Sequence, residues 1–213
     1  MAENVLEKEN TFEKALGADV TELSVKLGWD EKEASLAERL KGRLEEAATG
    51  ISGKSFDLNL AAILEYTDGT KPELVFHRGV SGCGADESGS VELGRDNRTG
   101  ARAGSDESLR ICLADVSSNV GRILLFVNIT GANEVHQSFA DVHHVFVQIE
   151  DDATCAVLLR EEEAFRAECA AEYCCYTFAA LCRTEEGWVL RGMARYSHED
   201  NEQDTLKAFT EKA

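Results

Sequence analysis

Proline occurs once in the 213 residues, at Pro72, so no proline-rich hinge or polyproline segment divides the chain. Basic residues are scarce: 22 Lys and Arg face 40 Asp and Glu, a formal net charge of −18. That balance excludes a general binder of nucleic acid or of anionic membrane, because the phosphate attraction behind such binding needs basic clusters. Long apolar runs are missing too. No stretch approaches the roughly 20 residues of a membrane span, and the opening MAENVLEKENTFEK is charged throughout, unlike a signal peptide. The expectation is a soluble, cytoplasmic protein with no direct membrane insertion. Seven cysteines are an odd number, and no pair has the C-x-x-C spacing of zinc or redox motifs. They read as reduced thiols that pack as small hydrophobes.

What is present suffices for a core: 43% of the residues are hydrophobic, which excludes wholesale disorder. Val5, Phe12 and Leu16 recur at approximately helical spacing before Gly17, so residues 1–19 read as an N-terminal helical extension. From Glu22 the pattern alternates, with Leu23, Val25 and Leu27 as one face of a strand. Ser35 and Glu38 form a capping box ahead of Leu36, Leu40, Leu44 and Ala48, which predicts a helix over 35–49 closed by Gly50.

Beyond that helix nearly everything reads as strand and turn. FDLNLAAILEY runs to an Asp68-Gly69 turn with ELVFH as its partner. SLRICLADV, GRILLFVNIT and DVHHVFVQIE follow, and a polar, helix-favouring run comes after them at 160–173. CCYTFAALCR and WVLRGMARYS then face each other across Thr184-Glu185-Glu186-Gly187 as a hairpin. Many strands and few long helices predict a mainly β fold, a two-sheet β-sandwich with peripheral helices. A single domain is expected over 20–200, with 201–213 as a C-terminal tail.

The loop from Gly94 to Glu107 concentrates short oxygen side chains with three glycines. Glycine lets the backbone aim carbonyls inward, and Asp, Asn, Thr and Glu are hard donors of the kind calcium takes in groups of six to eight. Asp57 and Asn59 share one strand face and stand ready to complete such a cage from elsewhere in the chain. The same residue types are also ordinary turn formers. An EF-hand does not fit: Arg98 and Gly100 stand where that loop needs oxygen side chains, and Ala101 replaces its glycine.

Other signals are weaker. His143 and His144 are neighbours on a strand and should point to opposite faces, which disfavours a shared ion. Cys174-Cys175 is a vicinal pair with some attraction for soft oxyanion-derived species, although strand cysteines are usually core fillers. No G-x-S-x-G elbow occurs, and Gly79 to Gly84 lacks the spacing and lysine of a phosphate loop. Glu161-Glu162-Glu163 suits a solvated helix start. No nucleophile or acid–base pair emerges, so no enzyme is expected.

The strings ELSVKLGWD, FDLNLAAIL, GRDNRTGARAGSDESLRICL, Gln137-Ser138-Phe139 and LCRTEEGWVLRGMARY, in that order over roughly 20–196, resemble the tellurium-resistance TerD-like family. The resemblance implies a β-sandwich stress-response protein that binds calcium through the acidic loop and the Phe-Asp-Leu strand start. Carried onto this chain, the implied metal residues are Asp30, Asp57, Asn59, Asp96, Asn97, Thr99, Gly100, Asp106 and Glu107, with Gly104 also matching. Asn59 stands where the family usually has a second aspartate, and Ala101, Ala103 and Ser105 stand where it has acids. Arg102 replaces a glycine and Thr130-Gly131 a Tyr-Asp pair. Fewer anionic ligands are expected to weaken or abolish calcium binding at one of two sites. The helix at 35–49 reads as an insertion into the family pattern. The alternative expectation is a metal-free scaffold with a degenerate calcium site that docks protein partners.

Overall fold

A computed structural model describes residues 5–9, 12–30, 56–77, 84–94 and 105–210, with only the backbone at Asp30. The predicted helix at 35–49 and the loop residues 95–104 lie outside the described residues.

Two antiparallel sheets pack face to face. Strands β1 (Val5–Glu7), β2 (Glu13–Ala15), β4 (Leu58–Tyr66), β5 (Glu73–Val75), β8 (Val120–Ile129), β11 (Cys175–Thr184) and β12 (Gly187–Ser197) form the first. Its order is β1-β12-β11-β8-β4-β5, with β2 also pairing along β12. Strands β3 (Glu22–Asp30), β6 (Val91–Leu93), β7 (Glu107–Cys112), β9 (His143–Asp151) and β10 (Ala156–Glu161) form the second, in the order β10-β9-β3-β7-β6. Helices are short: α1 (Ala132–Val135), α2 (Glu163–Arg166) and α3 (Glu202–Thr210), with 3-10 turns at Phe139–Asp141 and Glu168–Ala171. The mainly β two-sheet expectation therefore holds.

Alternation explains the second sheet. Leu23, Val25, Leu27, Leu109, Ile111, Val147 and Ile149 bury one face in the core. The other face carries charge: Lys26 pairs with Glu150, and Arg110 reaches Glu22 at 3.4 Å and Glu92 at 3.2 Å. The first sheet is buried on both sides. Leu58, Leu60, Ile123, Leu125 and Val127 face the core. Ala61, Ile63, Leu124 and Phe126 face away from it, into a smaller cluster joined by Leu206 and Phe209 of α3. That is why β4 and β8 read as continuous apolar runs, a pattern more often met in parallel sheets.

Three expectations need correction. The N-terminal segment is not helical: Leu6 pairs with Tyr196 in β1, and Lys14 with Leu190 in β2. A three-residue strand is too short to show a period of two, and its backbone pairing with β12 overrides the weak 3.6 pattern. The polar run at 160–173 begins as the end of β10, which pairs with β9 through Arg160 and Gln148, before breaking into α2 and the 3-10 turn. The tail from 201 is helix α3, opened by Asn201, whose side-chain carbonyl accepts the Asp204 amide at 2.9 Å.

Candidate metal centre

The sandwich brings the start of β4, the end of β3 and the start of β7 to one end of the fold. In β3, Leu27 pairs with Glu107 of β7 and Asp30 with His143 of β9. The Asp106 amide donates to the Leu27 carbonyl at 2.8 Å, and the Trp29 amide donates to Asp106 Oδ2 at 3.0 Å. Across to the other sheet, the Leu60 amide donates to Glu107 Oε2 at 2.6 Å. Asp106 and Glu107 thus fasten the C-terminal end of the acidic loop to two strands. Glu107 is only 1% exposed, so this bridge between sheets is dry. Its other oxygen lies 3.9 Å from Nε2 of His77, which is equally buried.

Asp57 and Asn59 flank the same corner. The Thr130 amide donates to the Asp57 carbonyl at 2.9 Å, and the Asn59 amide group donates to the Thr130 hydroxyl. Residues following β12 close over them: the Gly131 amide donates to the Asp200 carbonyl at 3.1 Å, and that of Asn133 to Asp200 Oδ2 at 3.0 Å. Glu202, at the start of α3, is buried here. Its carboxyl is pushed above the usual glutamate range, first by burial and then by the negative charge of Asp57. Acids that raise each other's affinity for protons also favour a cation between them.

Of the nine residues expected at a metal, the structure therefore places Asp57, Asn59, Asp106 and Glu107 about one corner, along with the backbone of Asp30. Asp96, Asn97, Thr99 and Gly100 lie outside the described residues. Among the described residues no three His, Cys, Asp or Glu side chains are grouped closely enough to hold an ion. A carboxylate has about four lone-pair directions, so an amide bond to Asp106 or Glu107 leaves acceptor capacity. Sequence reasoning missed His77 and Glu202. Nothing in the pattern around either marks it, since their relation to this corner is purely spatial.

The vicinal thiols do not converge. Cys174 donates to the His198 carbonyl at 3.4 Å on the core side, while Cys175 lies 3.7 Å from the Thr205 hydroxyl on the opposite face. Burial pushes both thiols up, to about 12 and about 11. His143 and His144 are both exposed, and their rings are 6.1 Å apart. His144 has a φ of 53° less two, at 51°, so strict alternation fails at that point and the two rings do not simply oppose each other.

With this geometry in place, comparison with known proteins is decisive. The TerD domain model matches residues 4–202. The chain belongs to the TerD family. Tellurium resistance protein TerD of Serratia marcescens is 30% identical over 151 residues, 70% of this chain and 75% of that protein. Stress response protein SCP2 of Bacillus subtilis is 27% identical over 161 residues, 73% of this chain and 74% of the relative. A crystal structure of a TerD homologue from Streptomyces coelicolor superposes with a TM-score of 0.64 at 21% identity, covering 84% of this chain and 92% of that one. The last shows the shared fold; the sequence matches place this TerD-family chain among tellurium-resistance and stress-response proteins. No helix among its described residues is long and apolar enough to cross a membrane.

Proposed function

We propose that this chain is a non-enzymatic stress-response protein that binds calcium where the acidic loop meets the start of β4. One observation carries the reading: strands distant in sequence bring Asp57, Asn59, Asp106 and Glu107 to one corner, where Asp57 already raises the Glu202 carboxyl. A hard divalent cation relieves such crowding, and it prefers oxygen donors of this kind. Asp57 and Asn59 would hold it from the strand, and Asp96, Asn97, Thr99 and Gly100 from the loop. The ion's chemistry is charge neutralisation, not catalysis, and protein partners of the ordered loop are the expected output.

The test is thermal unfolding in millimolar calcium against chelator. Binding to the folded state alone stabilises by RT ln(1 + [L]/Kd), about 2.7 kcal/mol at a hundredfold excess. A raised midpoint that disappears in Asp57→Asn supports the reading. Equal midpoints, together with no heat on titrating calcium, overturn it.

A further inference from the structure

A second polar site lies on the other side of the first sheet, beneath α3. Ser197, Cys175, Asn128 and Asn59 occupy directly opposed positions on β12, β11, β8 and β4, so their side chains form one row on the outer face. Two residues along, Arg195 of β12 opposes Thr177 of β11 on the same face. Arg195 is 2% exposed, and Asn128 and Thr177 are fully buried. A row of this kind inside an otherwise apolar cluster is costly unless each group is satisfied.

Several are not. Neither side-chain nitrogen nor oxygen of Asn128, nor the Thr177 hydroxyl, nor Nη2 of Arg195 has a hydrogen-bond partner among the described residues. The rest of the guanidinium is only partly engaged. Nη1 donates to the Ser197 hydroxyl at 3.4 Å, and the group stacks on Phe209 of α3 with its carbon 4.3 Å from the ring centroid. Its ion-pair partner is Glu7 at 3.7 Å, whose side chain is 68% exposed. Glu199 also has a buried oxygen without a partner, yet it forms no ion pair with Arg195. One buried cation therefore sits beside two further unsatisfied donors with its counter-charge largely in water.

We propose that this chamber under α3 binds a small, singly charged oxyanion between Arg195, Thr177 and Asn128. The planar fork of the guanidinium suits two oxygens, and the hydroxyl and amide supply the remaining donors. A single positive charge balances one negative charge, whereas a dianion would bury an unpaired one within a molecule of net charge −18. The site is distinct from the metal corner and does not depend on the calcium reading.

The probes are sodium formate and sodium nitrate, with sodium chloride at equal ionic strength as the reference. The full chain should melt about 3–6 °C higher in either oxyanion at tenfold excess over its dissociation constant. Arg195→Gln and Thr177→Val should each lose that increment. Thr177→Val keeps the side-chain shape, so it decides the matter if Arg195→Gln fails to fold. Equal midpoints in all three salts, or an increment that survives in Thr177→Val, overturn the proposal.

Discussion

At the scale of single residues, the acids of this protein divide by what they hold. Glu107 bonds a backbone amide in a dry interior, so its loss is structural before it concerns any ion. Glu107→Ala leaves the Leu60 amide without its acceptor and should lower stability by about 1–3 kcal/mol, read by denaturant unfolding in chelator. Asp68 is the opposite case, fully exposed at the β4–β5 turn. Bonds from Thr70, then Asn119, hold its carboxyl down from 3.8 to about 2. The folded state therefore releases this proton more readily than the unfolded chain. Its stabilisation is complete above 3.8 and is lost as pH falls toward about 2. Asp68→Asn should flatten the acid limb of the stability profile within that window; an unchanged limb would refute the assignment.

At the scale of elements, turn chemistry was the most legible feature. The β11–β12 hairpin turns where four polar residues separate two apolar runs, with Thr184 paired to Gly187 across it. Gly187 has a φ of 126°, a region nearly closed to other residues, although open space surrounds it. Gly187→Ala should therefore cost about 1–3 kcal/mol through backbone strain alone. A melting point within 1 °C of the parent, a threshold set by the roughly 2–4 °C expected per kcal/mol, would contradict this. Gly94 illustrates a different constraint: a β-carbon there would stand 2.3 Å from the Ser108 hydroxyl, so the strand leading into the acidic loop packs flush against β7. Alternation likewise revealed β3 and β7. β1, β2 and β10 were hidden because short edge strands are defined by a neighbour's free backbone groups, which no local pattern records.

At the scale of the whole molecule, the net charge of −18 sets the response to salt. Self-repulsion of the compact state weakens as the Debye length shortens from about 30 Å at 0.01 M to about 8 Å at 0.15 M. The melting midpoint in chelator should rise over that range with sodium chloride, and a fall would show that attractive surface pairs outweigh the excess acid. The two sheets answer to different solvents. The outer face of the second is a solvated lattice of ion pairs, each worth little by itself. The outer face of the first is covered in part by α3, which is why its strands lack a polar face to read.

The sequence by itself determined the class of fold, the family and the residues able to bind a hard cation, because periodicity, turn residues and ordered motifs are local properties. Only the tertiary structure decided which of those oxygens meet. Glu107 proved to be a bridge to Leu60, Glu202 entered the corner from what read as a tail, and Arg195 came to lie among unsatisfied polar groups. Each of these depends on strand register between segments far apart in the chain, and register is fixed by the packing of the entire sheet.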